Sequence, residues 1–127
     1  MNDDKLQELG LAVVKTEAEA VARLADTIRD PAFVQACRLM LDCKGRVVVT
    51  GMGKSGHIAG KIAPTLASTG TPAFFVHPGE ASHGDLGMIT STDVVLALSN
   101  SGETGEIITI LPIIKRLHVP LIAMTGN

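Results

Sequence analysis

Arg46-Val47-Val48-Val49-Thr50 runs straight into Gly51-Met52-Gly53-Lys54-Ser55-Gly56, an apolar, β-branched stretch that ends on a glycine-rich turn. A short run of this kind, bounded by turn residues, reads as a strand buried on both faces of a parallel sheet. The small-residue turn behind it, followed by helical periodicity, aims free backbone N–H groups and hydroxyls at one point. The arrangement occurs again where Asp93-Val94-Val95-Leu96-Ala97-Leu98 leads into Ser99-Asn100-Ser101-Gly102-Glu103-Thr104. Two such turns in one small chain suit a phosphorylated ligand.

Outward from these two runs the pattern is regular. Strands are expected at 46–50, 73–76, 93–98 and 120–124 and helices at 55–68 and 104–116, with a Gly/His-rich loop after the second strand. Short β-α-β crossovers force a parallel sheet with helices on both faces, and ligands then gather at the carboxyl ends of its strands. The expected fold class is α/β: an open parallel sheet flanked by helices in a Rossmann-like three-layer arrangement. Ahead of it, Leu6, Leu9, Val13, Ala20, Leu24 and Ile28 recur at helical steps and predict a long amphipathic N-terminal helix over 3–29. Asp30 then caps a second helix with Pro31 at its first position, Phe33, Cys37, Met40 and Leu41 on its apolar face, and Gly45 past its end. Pro64 and Pro112 each delete a hydrogen bond inside a helix, so a bend is expected near each. The 127 residues, 46% hydrophobic, suffice for one domain with a core. Residues 1–45 supply its N-terminal helices and 46–127 its β-α-β core.

Composition excludes several classes of function. The chain carries 11 basic and 13 acidic residues, mixed along its length. No basic stripe is available to neutralise a nucleic-acid backbone, and no nucleic acid is expected as a partner. No apolar stretch approaches a membrane span, and Met1-Asn2-Asp3-Asp4 begins with acids rather than a basic signal-peptide region. A cytoplasmic protein with no membrane partner is expected. Cys37 and Cys43, six apart on one helix, would stand roughly 9 Å apart, too far for a disulfide; they read as reduced core thiols. Aromatic content is only 2%, all Phe, so sugar recognition must be polar.

The first loop formally satisfies the dinucleotide fingerprint through Gly51, Gly53 and Gly56. That pattern needs an acid at the end of the second strand to hold a ribose, and Val76 and His77 stand there. Glu80 lies beyond a Pro78-Gly79 turn. Gly53-Lys54-Ser55 also imitates the end of a nucleotide P-loop, yet the required earlier glycine falls at position 48, which is Val. The bland alternative is that these glycines only make a tight turn. Lys54 argues against it, because a lysine on the buried rim of a helix N-terminus conflicts with the helix dipole, and an anion relieves the conflict.

In the second loop Ser99, Ser101 and Thr104 can converge three hydroxyls on a helix start while Gly102 lets the backbone approach, an arrangement suited to a dianionic phosphate. Asn100 and Glu103 also fit a capping box, which would give Glu103 a purely structural part. Glu106 lies one turn further on the same helical face with no capping role, and reads either as a proton-moving carboxylate or as a solvated helix residue. His77-Pro78-Gly79-Glu80-Ala81-Ser82-His83-Gly84-Asp85 packs two imidazoles and two carboxylates into nine residues. The spacing matches no standard zinc pattern, so a general acid or base is preferred to a metal site. His57 sits on the helix after the first loop, and His118 reads as a charge complement at a helix C-terminus.

Gly-Met-Gly-Lys-Ser-Gly-His at 51–57, Ala-Ser-Thr-Gly-Thr-Pro at 67–72, the run 77–87 and Ser-Asn-Ser-Gly-Glu-Thr at 99–104 together resemble the sugar isomerase (SIS) phosphosugar-binding domain. Lys54 with the histidine loop narrows the resemblance to the bacterial arabinose-5-phosphate isomerases. The resemblance implies reversible conversion of D-ribulose 5-phosphate to D-arabinose 5-phosphate through an enediol, feeding synthesis of the lipopolysaccharide sugar Kdo, with no cofactor or metal. It implies Lys54, His83 and Glu106 as catalytic residues and Ser55, Ser99, Ser101 and Thr104 as the groups that hold the phosphate; Gly53 and Glu103 are expected in the same binding set. A homodimer or homotetramer is implied too, in keeping with open sheet edges and a long N-terminal helix. Family members continue past the fourth strand through a fifth strand, another helix and usually paired CBS domains, so a truncated form of the family domain is expected. The alternative reading is a non-catalytic SIS domain that binds or senses phosphosugars. A nucleotide-binding domain is the third, and it would require NAD(P) or ATP to raise the melting temperature.

Overall fold

Val47, Val48 and Val49 are each at most 1% exposed, and their burial on alternate sides organises the sheet. The computed structural model describes all of residues 1–127, in two units, Met1–Cys37 and Arg38–Asn127. The second holds four parallel strands, β1 (Val47–Gly51), β2 (Ala73–Val76), β3 (Val94–Ser99) and β4 (Leu121–Thr125), in the order β2-β1-β3-β4. Helices α3 (Gly53–Ser68) and α5 (Gly105–Arg116) make the crossovers into β2 and β4. The expected open parallel α/β sheet is present, with each boundary within two residues of its sequence-based place.

Each face of the sheet has its own core. On one, Val48, Val76 and Val95 pack with Ile110 and Ile114 of α5, and with Ala81 of the short helix α4 (Pro78–Ala81). On the other, Val47, Val49, Leu96 and Leu98 pack with Ala59 and Ala63 of α3, and Met40 joins them. This double burial explains the unbroken apolar runs of β1 and β3. β4 is different: as an outer strand it leaves Leu121 40% and Met124 54% exposed. The 77–88 segment, expected as an open loop, contains α4 and a 3-10 turn at Asp85–Met88. Both are too short to leave a periodic trace in sequence. α3 and α5 run unbroken through Pro64 and Pro112.

Small residues bring α3 close to β1. A Cβ on Gly56 would lie 2.6 Å from the Gly51 carbonyl oxygen, so only glycine lets the helix start in contact with the strand it follows. Behind α5, His118 takes φ 55° and makes the helix stop. Its N–H donates to the Lys115 carbonyl at 3.1 Å, and the Val119 N–H donates to that of Ile114 at 3.5 Å, the paired bonds of a Schellman motif. His118 therefore closes the helix through its backbone, where a side-chain charge complement had been expected.

At the opposite end of the strands Asp93, 2% exposed, ties the sheet together. Its carboxylate accepts from the Arg46 N–H at 2.7 Å and the Thr90 N–H at 2.7 Å. Arg46 in turn stacks over Phe74 at 4.3 Å and donates from Nη2 to the Met88 carbonyl at 2.9 Å. Cys43 lies beyond the end of helix α2 (Pro31–Leu41), with its thiol 3.5 Å from the Thr92 carbonyl. Cys37 and Cys43 are free as expected, but both are only partly buried and neither belongs to a core cluster, which corrects the core-thiol reading.

In the first unit, helix α1 (Asp3–Ile28) begins where the Asn2 side chain accepts from the Lys5 N–H at 2.9 Å. It spans about 39 Å at 1.5 Å per residue, and none of its residues is buried. Asp30 Oδ1 accepts from the Ala32 N–H at 2.8 Å, the cap expected at the start of α2.

Asp93→Ala orphans two N–H donors and is expected to cost about 1–3 kcal/mol for each that stays buried, read as a lower urea midpoint. Gly56→Ala forces α3 away from β1 and should destabilise by about 1–3 kcal/mol, whereas Gly60→Ala, which meets nothing within 4 Å inside the same helix, is the control expected to stabilise by up to about 1 kcal/mol.

Candidate phosphosugar site

The strand order creates the site. From β1 the chain crosses through α3 to β2 on one side, and its next strand, β3, lies on the other side of β1. The carboxyl ends of β1 and β3, paired at Gly51 and Leu98, therefore flank a topological switch point. The loops that leave them start α3 and α5, so two helix N-termini open at one edge of the sheet. β2 delivers the 77–88 segment to the same edge: Thr50 pairs with Val76, and its buried hydroxyl donates to the Val76 carbonyl at 2.7 Å.

On the β3 side, Ser99 is 7% exposed and its hydroxyl lies 2.7 Å from that of Thr104. Ser99 Oγ also accepts from the Gly102 N–H at 3.1 Å. Ser101 is exposed, and its hydroxyl accepts from the Glu103 N–H at 3.1 Å. Ser99 and Thr104 are thus joined directly, while Ser101 stands at the rim. α5 begins at Gly105 with Thr104 as N-cap. The capping box expected between Asn100 and Glu103 does not form, because the turn runs further than that spacing allows, and Glu103 lies outside the helix. Glu106 is the acid of the first turn of α5, exposed, where the helix dipole favours negative charge.

On the β1 side, Gly53 takes φ 55°, and Lys54 and Ser55 occupy the first turn of α3. Met52 caps that turn without a side-chain hydrogen bond, leaving its N–H groups open to a ligand. Lys54 is exposed, which corrects its expected place on a buried rim. The two ion pairs of the chain, Lys5–Glu8 and Arg29–Asp26, belong to α1 and its cap, so Lys54 and Glu106 have no ionic partner. A cation at a helix N-terminus with no counter-charge still carries the electrostatic conflict that an anion would relieve.

The two histidines of the 77–88 segment differ. His77 caps α4, its Nδ1 accepting from the Gly79 N–H at 3.2 Å, and its ring meets Phe75 edge-on at 6.5 Å. His83 follows α4, is exposed, and makes no side-chain hydrogen bond. His57 is exposed on α3. No group of three or more His, Cys, Asp or Glu side chains is placed to hold a metal ion, and no helix is long and apolar enough to cross a membrane. Sequence reading missed the contacts that residues 126–127 make with the Ser99 loop, where the Gly126 N–H donates to the Asn100 carbonyl at 3.0 Å. A glycine right after an apolar run was the only trace.

Comparison with known proteins identifies the family. The family model of the SIS domain matches residues 40–127. The chain is 69% identical over 111 residues to arabinose 5-phosphate isomerase KdsD of Pseudomonas aeruginosa, covering 87% of this chain and 34% of that protein. It is 60% identical over 121 residues to KdsD of Escherichia coli K12, covering 95% and 37%. The chain thus spans about a third of the length of these curated relatives. A structure of an E. coli CFT073 protein in complex with arabinose 5-phosphate superposes over the whole chain and 67% of its own, with a TM-score of 0.90 and 46% identity. Phosphoheptose isomerase GmhA of Neisseria gonorrhoeae, 21% identical with a TM-score of 0.77 over 94% of this chain and 74% of its own, shares the fold. With that model matched over residues 40–127, the chain belongs to the SIS-domain family.

Proposed function

We propose that this domain binds a phosphorylated pentose at the crevice between the ends of β1 and β3. There it contributes Lys54, His83 and Glu106 to the reversible isomerisation of D-ribulose 5-phosphate to D-arabinose 5-phosphate, a step toward the lipopolysaccharide sugar Kdo. One observation carries the reading: the Ser99–Thr104 hydroxyl pair, with Ser99 buried, stands at the N-terminus of α5, across the switch point from the open first turn of α3. Helix-end N–H groups with hydroxyls and a nearby free cation suit a phosphate dianion. The relatives named arabinose 5-phosphate isomerase, and the arabinose 5-phosphate complex of the E. coli CFT073 protein, support the choice of sugar.

In this reading Ser55, Ser99, Ser101 and Thr104 hold the phosphate with the backbone at Gly53, and Glu103 borders it. Isomerisation then needs one proton moved between carbons and protons exchanged at two oxygens. The Glu106 carboxylate takes a proton from C1 of the ketose; the C–H electron pair becomes the C1–C2 double bond, and the C2 carbonyl oxygen becomes an enediolate. The Lys54 ammonium stabilises that negative oxygen. His83 protonates it and later removes the proton from the C1 hydroxyl, so that C1 becomes the aldehyde as Glu106 returns its proton to C2. No external oxidant or reductant enters the balance.

The test is conversion of ribulose 5-phosphate by the natural gene product and its Glu106→Gln and His83→Ala variants. Loss of a general acid or base is expected to lower kcat by about 10²–10⁴-fold, with arabinose 5-phosphate still bound. Wild-type rates in both variants would remove the proposed roles. Binding without turnover by the unaltered protein would favour a phosphosugar-sensing SIS domain.

A further inference from the structure

The residues that follow β4 hold the Ser99 loop from behind. The Gly126 N–H donates to the Asn100 carbonyl at 3.0 Å, and Asn127 Nδ2 donates to the Ser101 carbonyl at 3.0 Å. The Thr125 hydroxyl donates to the Asn127 carbonyl at 2.6 Å, holding that residue in its turn. The approach is tight: a Cβ on Gly126 would lie 2.8 Å from Asn100 Oδ1 and 3.0 Å from the Asn100 carbonyl oxygen.

These anchors have a geometric consequence for the other side of the loop. In a trans peptide the C=O and N–H groups point in opposite directions, and the chain contains no cis bond. Anchoring the Asn100 and Ser101 carbonyls on the β4 side therefore turns the N–H groups of Ser101 and Gly102 away from it. The Gly102 N–H then reaches Ser99, at 3.1 Å from Oγ and 3.2 Å from the carbonyl oxygen, which Gly102 permits with φ 72°. The Ser101 N–H makes no hydrogen bond within the chain and is left for a ligand.

We propose that Gly126 and Asn127 are positioning residues for phosphate binding. They fix the direction of the Ser101 and Gly102 N–H groups, and through Gly102 the place of the Ser99 hydroxyl. The inference rests on the phosphosugar reading above and adds to it the element that pre-orients the phosphate loop. Its specific consequence is a loss confined to phosphate affinity, since neither residue touches the groups proposed to move protons.

The experiment uses the natural gene product with Gly126→Ala and Asn127→Ala, measuring kcat, KM for ribulose 5-phosphate, competitive inhibition by inorganic phosphate, and the melting temperature. KM and the phosphate inhibition constant should rise together by about three- to tenfold, the loss of a single net hydrogen bond, while kcat changes less. A fall in kcat or melting temperature with KM and phosphate inhibition unmoved gives these residues a structural part only and overturns the proposal. Variants equal to an active wild type overturn this proposal alone. A wild type that neither isomerises nor is inhibited by phosphate overturns the functional reading, and the positioning role with it.

Discussion

β1 has a strand on each side and a packed core on each face, and the site depends on that enclosure. Because every side chain of β1 is buried, the strand must be apolar throughout and can contribute chemistry only where it ends. Its flanks are filled from opposite directions, by β2 after the first crossover and by β3 after the chain has passed to the other side. Two helices on opposite faces consequently start at one edge. Close approach at Gly51 and Gly56 lets the first begin immediately, and the Ser99–Thr104 pair fastens the second.

In the proposed function, anion recognition follows from backbone geometry more than from formal charge. The helix starts supply N–H groups that the helices themselves cannot use. Lys54 and Glu106, opposite in sign and without ionic partners, stand in the first turns of α3 and α5. Helix-dipole effects place them in different circumstances: Glu106 is favoured where it sits and Lys54 is not. A bound dianion would reverse that balance by favouring the lysine. The far ends of the strands are held separately, with Asp93 binding the starts of β1 and β3.

The order and nature of the strands and main helices were legible because double burial writes itself into sequence as unbroken apolar runs. Their boundaries at Gly51, Gly53 and Gly105 shifted by a residue or two where turn and helix chemistry overlap. The two candidate phosphate loops were legible as motifs, through Gly53, Ser55, Ser99 and Thr104. What escaped was set by contacts distant in sequence or by local ambiguity. The Asn100–Glu103 spacing satisfied a capping box, yet the cap fell at Thr104. Cys43 looked helical because Gly45 is the helix-stop signal in the sequence, whereas α2 ends at Leu41. Asp93 as a staple, and Gly126 as a support for Asn100, depend on strand register that no local pattern encodes.

In the proposed binding mode one phosphosugar meets both helix starts at the switch point. Backbone amide resonances of the 15N-labelled chain, followed during titration with arabinose 5-phosphate, test it most directly. Saturable shifts concentrated at residues 53–56 and 99–106 are expected, with D-arabinose lacking the phosphate producing none. Shifts confined to only one of the two loops, or mapping to the Asp93 end of the sheet, would contradict it.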